Sequence, residues 1–262
     1  MEYEKYCKYY KVLWEYLTKH SPSIEELTEE ICRRRGYKDV KRWELLFNKT
    51  GLAKVKMEDL DMKGIRKLFP EEMGIIGEKG FLLENSYMIP IRDMLGNIIA
   101  IVGWLPENKA QKYITTPSEY FDKSCLFFGL EQFADYNPLI YGKDKLHPFF
   151  VVEGIFDSLA LRSLGFRCLG NMGINGSVVK SRIFNLCSKI VAIPDGDKQG
   201  LRVIQTDEWK LPTHGTYVVI PQGIEGIKDV DDIIKSCSPE QTIPYFASFF
   251  KEKNRKVFFE IE

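Results

Sequence analysis

The residues of this sequence best able to do chemistry are six carboxylates. Glu153 and Asp157 follow the run FFVV, Asp195 and Asp197 follow KIVAIP, and Asp229 and Asp231 lie in KDVDD, a short loop beyond TYVVIP. Each pair therefore comes just after a short apolar run of the kind that makes a buried strand. Carboxylates converging from neighbouring strand ends repel one another unless a cation neutralises them. All-oxygen ligands of this type suit Mg²⁺ or Mn²⁺. Two such ions can clamp the attacking and leaving oxygens of a phosphoryl transfer. In Asp195-Gly196-Asp197 both carboxylates leave one tight turn, and the glycine removes a side chain that would block approach. Taken singly, any of these acids reads equally well as a turn residue or helix cap. Three clusters in order, each closing a β-run, read as a metal site built from Glu153, Asp157, Asp195, Asp197, Asp229 and Asp231.

The elements that must position those acids follow from period and punctuation. From residue 149 the chain alternates short apolar runs with helical patterns: FFVV, IFDSLALRSLG, RCLG, SVVKSRIFNLCSK, KIVAIP, GLRVIQTDEWK and TYVVI. Strands alternating with helices predict a parallel α/β sheet with helices on its faces. In such sheets function gathers at the carboxyl ends of the strands. Residues 1–75 read as helical, with Ser23 and Glu26 spaced as a capping box and a glycine stop after KRWELLFNKT. Residues 80–130 change period, and NSYMIPIRDMLGNIIAIVGWL predicts two strands around a turn at Asp93–Asn97. Pro138 and the charged stretch 142–145 mark the expected boundary, giving an N-terminal part, 1–145, and a sheet domain, 146–262, with a short helical tail.

Composition narrows the class. Apolar residues at 44% and charged residues at 28% are those of a globular chain. No run approaches a membrane span, and the N-terminus lacks the pattern of a signal peptide. The six cysteines stand singly with no CxxC pair, which predicts no zinc site and no disulfide framework. A reduced, cytoplasmic protein is the expectation. With 37 basic and 37 acidic residues the net charge is zero, unlike an avid non-specific DNA coater. Residues 1–70 nonetheless carry 16 Lys or Arg against 12 acids. The N-terminal aromatics Tyr3, Tyr6, Tyr9, Tyr10, Trp14 and Tyr16 interleave with lysines. They read as an amphipathic helix face packed on a core, with a base-stacking platform as the other reading. His20, His147 and His214 stand alone and predict no metal or general-base role.

EGIFD, PDGDKQG and KDVDD resemble the three acidic motifs of Toprim domains, shared by bacterial primases, topoisomerases and several nucleases. The resemblance implies Glu153 as general acid or base and Asp195 and Asp197 as metal ligands. Asp157, Asp229 and Asp231 would support the same ions. The turn Asn171–Gly176 falls where such domains carry a loop near the phosphates, so Gly173 and Asn175 join the expected nucleotide-binding set; an ordinary helix cap would look the same. Upstream, the chain is similar to the basic subdomain of DnaG-type primases. The matching residues are Ile89-Pro90-Ile91-Arg92-Asp93, Lys112-Tyr113, Thr116-Pro117, Phe121, Lys123 and Phe128-Gly129-Leu130. This implies Lys112 and Lys123 as holders of a nucleoside triphosphate or template backbone. Arg92 joins that set by position, although pairing with Asp93 or bracing the hairpin is its simpler role.

Three departures stand beside the resemblance, which spans about residues 80–236. No Cys/His module precedes the core, only about 25 residues follow Asp232-Ile233-Ile234, and Gly103-Trp104 stands where the family has Gly-Gly-Arg. Trp104 would replace a phosphate contact by stacking on a base. The combined expectation is a primase-type DNA-directed RNA polymerase core, a nucleotidyltransferase making short RNA primers on single-stranded DNA with Mg²⁺ or Mn²⁺ and no zinc. A separate helicase and zinc-module protein would assist it, in the setting of a phage, plasmid or other mobile element. The rival expectations are a Toprim nuclease and a non-catalytic nucleic-acid-binding replication accessory protein.

Overall fold

The computed structural model describes residues 2–69, 74–77, 80–108, 110–117, 120–133, 148–172, 178–206, 208–212, 215–218, 227–251 and 257–258. The chain divides into two compact units, Met1–Asp122 and Lys123–Glu262. The boundary expected near residue 145 lies outside the described residues, as do His147 and His214.

The first unit opens with helix α1 (Tyr3–Lys19). Its buried residues are Tyr6, Tyr10, Leu13, Trp14 and Leu17, spaced as one helical face. That face packs into a cluster with Ala53, Val55, Met88, Ile98 and Ile101, so Tyr6, Tyr10 and Trp14 are core and not a stacking platform. The Tyr10 hydroxyl donates to Thr116 Oγ1 at 2.9 Å, which itself accepts from the Ile101 amide at 2.9 Å. Burying each large side chain contributes roughly 1.5–3 kcal/mol, and the hydroxyl is not left to offset it. Helix α2 (Ile24–Arg35) begins with the expected reciprocal Ser23–Glu26 box. Helix α3 (Val40–Thr50) is capped by Asp39 and stops at Gly51, and the short helix α4 (Met62–Leu68) follows.

Strands β1 (Ile76–Gly77) and β2 (Gly80–Phe81) form a small antiparallel pair. Strands β3 (Tyr87–Arg92), β4 (Ile98–Trp104) and β5 (Tyr113–Thr115) form an antiparallel sheet in the order β3-β4-β5. The hairpin between β3 and β4 is closed by Asp93, whose Oδ1 accepts from the Leu95 and Asn97 amides, both at 2.8 Å. Arg92 donates to the Gly96 carbonyl at 3.0 Å and so braces the turn. The third strand was not expected from its sequence, because three residues are too few to show a period. Trp104 corrects a second expectation. It lies on the central strand, is 5% exposed and packs on Tyr87 at 5.2 Å, so no ring face is left for a base. Burial of a large apolar side chain on a fully covered strand outweighs its value as a stacking surface.

The second unit begins its sheet with β6 (Phe149–Val152), followed by helix α5 (Ile155–Ser163). Strand β7 (Cys168–Gly170), helix α6 (Val178–Phe184), strand β8 (Ile190–Ile193), helix α7 (Lys198–Thr206) and strand β9 (Gly215–Val218) then alternate. Helices α8 (Val230–Ser236) and α9 (Pro239–Phe249) precede a final strand, β10 (Val257–Phe258). The sheet has five parallel strands in the order β10-β9-β8-β6-β7. Every side chain of β6, β7 and β8 is buried, as a sheet covered on both faces requires. The expected helical tail thus ends in an edge strand. From β6 the chain steps to β7 on one side and then crosses to β8 on the other. That reversal opens a crevice beyond the carboxyl ends of β6 and β8.

Gly51 marks a point where backbone freedom is needed. Its φ is +98°, and a Cβ there would meet Trp14 Cζ2 at 2.9 Å and Pro90 Cγ at 3.1 Å. Gly51→Ala is expected to destabilise the first unit by about 1–3 kcal/mol through strain. A lower urea midpoint with an unchanged slope would record it; an unchanged midpoint would refute it.

Candidate metal centre

The switch point between β6 and β8 is where the acidic residues meet. Val152 pairs with Ile193, so the residues that leave these two strands emerge side by side. Glu153 Oε1 accepts a hydrogen bond from the Asp195 amide at 3.2 Å. Asp157, in the first turn of α5, is buried and accepts from the Asp231 amide at 3.1 Å. The Gly196 amide donates to the Lys228 carbonyl at 2.9 Å and ties the second acidic cluster to the third. Three clusters far apart in the chain are thereby joined by backbone amides, which are the donors a carboxylate accepts without a counter-charge.

Two of the acids also serve as caps. Asp197 Oδ1 accepts from the Gln199 and Gly200 amides at 2.9 and 3.0 Å, at the start of α7. Asp229 caps α8 by accepting from the Asp232 amide at 2.9 Å. The cap reading and the site reading are compatible here, because a carboxylate has oxygens enough for both. Gly200 has a different purpose. A Cβ at that position would lie 1.8 Å from the Asp195 carbonyl oxygen, so only glycine lets α7 start directly beneath Asp195.

Two cations and one further acid adjoin these carboxylates, and none was among the expected site residues. Lys228 Nζ is 3.6 Å from Asp195 and 3.7 Å from Asp197. Lys235 Nζ is 2.6 Å from Asp231 and 3.4 Å from Asp232. One oxygen from each of Asp229, Asp231 and Asp232 lies within 4.8 Å of the others. The signal for Lys235 was present, since it follows Asp231 by four residues and Asp232 by three on a helix.

Electrostatics follow from this crowding. Burial first and the Asp195 charge next push Glu153 up to about 7. Burial and then Asp229 push Asp195 up to about 6, against the pull of Lys228. Asp157 is held well above the usual carboxylate range by full burial, with Asp229, Asp195 and Asp231 adding to it. Asp229 is raised by burial, opposed by the Asp232 amide. Burial works against the Lys228 ammonium, but Asp195, Asp197 and Asp229 outweigh it and raise its pKa. Burial and mutual repulsion thus raise Glu153, Asp157, Asp195 and Asp229 together.

Lys112 is exposed beside β5 in the first unit, and Lys123 is exposed at the start of the second. Arg92 braces the β3–β4 turn. Gly173 and Asn175 lie outside the described residues. All six cysteines are free. No described helix is long and apolar enough to cross a membrane.

Comparison with known proteins agrees with this architecture. No family model matches the chain. The chain is 30% identical over 168 residues to the DNA primase of Synechocystis, covering 61% of this chain and 25% of that protein. It is 24% identical over 214 residues to the DNA primase of Thermotoga maritima, covering 77% of this chain and 36% of that one. Among solved structures it matches a DnaG primase catalytic domain bound to single-stranded DNA, with a TM-score of 0.70 and 16% identity over 94% of this chain and 78% of that one. The RNA polymerase domain of Mycobacterium tuberculosis DnaG matches with a TM-score of 0.70 and 18% identity, over 94% of this chain and 84% of that one. The fold is that of a DnaG-type primase catalytic domain. The chain spans about a quarter of the length of the Synechocystis primase.

The raised carboxylates set the sign of a pH effect. Between the ordinary values of 4.5 and 3.8 and the folded values of about 7 and about 6, Glu153 and Asp195 hold more protons folded than unfolded. Raising pH through that window therefore lowers stability. In EDTA-containing buffer the melting temperature is expected to fall from about pH 5 to about pH 8. Glu153→Gln should flatten the slope, and a melting temperature that rises over the same range would contradict the assignment.

Proposed function

We propose that this chain is a primase-type catalytic core that joins ribonucleotides into short primers on single-stranded DNA. The observation that carries the proposal is the meeting of Glu153, Asp157, Asp195, Asp197, Asp229 and Asp231 at the switch point of a sheet with the DnaG catalytic fold. The donor set is oxygen only, and the raised acids are those whose repulsion a divalent cation relieves. The residues therefore fit Mg²⁺ or Mn²⁺, in the manner of Toprim domains, with Asp195, Asp197 and Asp229 as the reachable ligands and Asp157 and Asp231 behind them. Bound divalent ions would supply Lewis-acid stabilisation of the attacking and leaving oxygens of nucleotidyl transfer.

The chain's own residues contribute the rest. Glu153, half-buried beside Asp195 and held above the usual carboxylate range by that burial, serves as general acid or base. Lys228, exposed and close to two acids, can turn to an incoming phosphate once a cation occupies the carboxylates. Lys112 and Lys123 are exposed ammonium groups that suit a triphosphate or template backbone. Single-stranded DNA and nucleoside triphosphates are the proposed substrates, consistent with the DNA-bound state of one structural neighbour. A helicase and a zinc-bearing protein are the proposed partners.

Purified chain given single-stranded DNA, labelled ribonucleotides and Mg²⁺ or Mn²⁺ should make short oligoribonucleotides. Asp195→Ala and Asp197→Ala should each lower the yield by roughly a hundredfold or more, the scale of losing transition-state charge stabilisation. Loss of input DNA with no new product would identify a nuclease. DNA binding indifferent to both variants, with no synthesis, would identify an accessory protein.

A further inference from the structure

A lysine lies where packing alone would ask for an apolar residue. Lys180, on α6, is 1% exposed. Its Nζ donates to the Asn171 carbonyl at 2.8 Å and to Asn171 Oδ1 at 2.6 Å, and it lies 5.0 Å from the centre of the Phe127 ring. Burying an ammonium costs several kcal/mol unless oxygens and a ring face replace its water, as these do. The residue it grips is itself 1% exposed and sits immediately after β7. The Asn171 amide donates to the Val152 carbonyl at 2.7 Å, and the next amide, of Met172, donates to the Glu153 carbonyl at 3.0 Å. Met172 takes φ +54°, a conformation that an unbranched L-residue adopts only when its surroundings impose it.

These contacts form one path. The ammonium holds both oxygens of Asn171, Asn171 and Met172 hold the backbone at Val152 and Glu153, and the Glu153 carboxylate meets the Asp195 amide. We infer that Lys180 is a positioning residue, clamping the exit of β7 so that the backbone of Glu153 is fixed and its carboxylate is aimed at the acidic centre. The effect is geometric.

The metal arm of the test rests on the reading given under the proposed function; the exchange arm does not. Lys180→Met keeps length and removes the donor, leaving two buried Asn171 oxygens unpaired. Because that variant risks misfolding, Asn171→Leu/Lys180→Met is its companion. The double variant removes the side-chain acceptor together with the donor and leaves only the Asn171 backbone carbonyl unpaired, so it is expected to be less destabilised than Lys180→Met. Both variants are expected to bind Mn²⁺ about tenfold more weakly than wild type in titration calorimetry, the scale of losing a residue that orients a ligand. Both should also lose hydrogen-exchange protection at the Met172 amide in metal-free buffer. A merely structural lysine predicts something else: the double variant would recover Mn²⁺ affinity along with its melting temperature. That recovery, or an unchanged Met172 exchange rate, overturns the inference. If wild type itself binds no Mn²⁺, the metal reading fails, and the exchange rate at Met172 still decides the role of Lys180.

Discussion

Desolvated carboxylates crowding one sheet edge set the terms for everything around them. Glu153, Asp157, Asp195 and Asp229 are all pushed toward their protonated forms, with burial the largest cause in each case. Such a cluster does not assemble by attraction among its members; the rest of the fold must force it. The force comes from apolar strands whose every side chain is buried, which leave the chain no freedom to move its strand ends apart. Backbone amides and two lysines soften the repulsion without cancelling it. Under the proposed function, a divalent cation would supply the charge that this repulsion leaves unbalanced.

The same economy shows in how single residues carry two duties. Asp197 and Asp229 end loops and begin helices while facing the centre, so helix geometry and site geometry share atoms. Gly200 contributes by having no side chain, since any other residue would drive α7 away from Asp195. Lys180 extends the scheme by one layer, with a buried cation spent on holding backbone in place.

The first unit is organised on a different principle. Its core joins the α1 aromatics to the antiparallel sheet, and the buried Tyr10 hydroxyl is satisfied within it, through Thr116 to the Ile101 amide. Trp104 belongs to that core, which removes the stacking role its position suggested. Lys112 is among the side chains this unit leaves to solvent.

Much of this was legible in the residues. Alternation of apolar runs and helical periods specified a parallel α/β sheet, because each element's period reflects the face it buries. Ser23 and Glu26 announced their helix, Asp93 to Asn97 their turn, and the acids their strand ends. Local pattern does not encode strand order, and order decides which groups meet. That Asp157 accepts from Asp231, 74 positions away, follows only once β8 has crossed to the far side of β6. The burial of Trp104 and Lys180 likewise depends on neighbours that no short window contains. The sequence by itself determined the elements and the chemistry at their ends; tertiary structure decided the partners, because pairing through space depends on register and crossover, which are properties of the whole sheet.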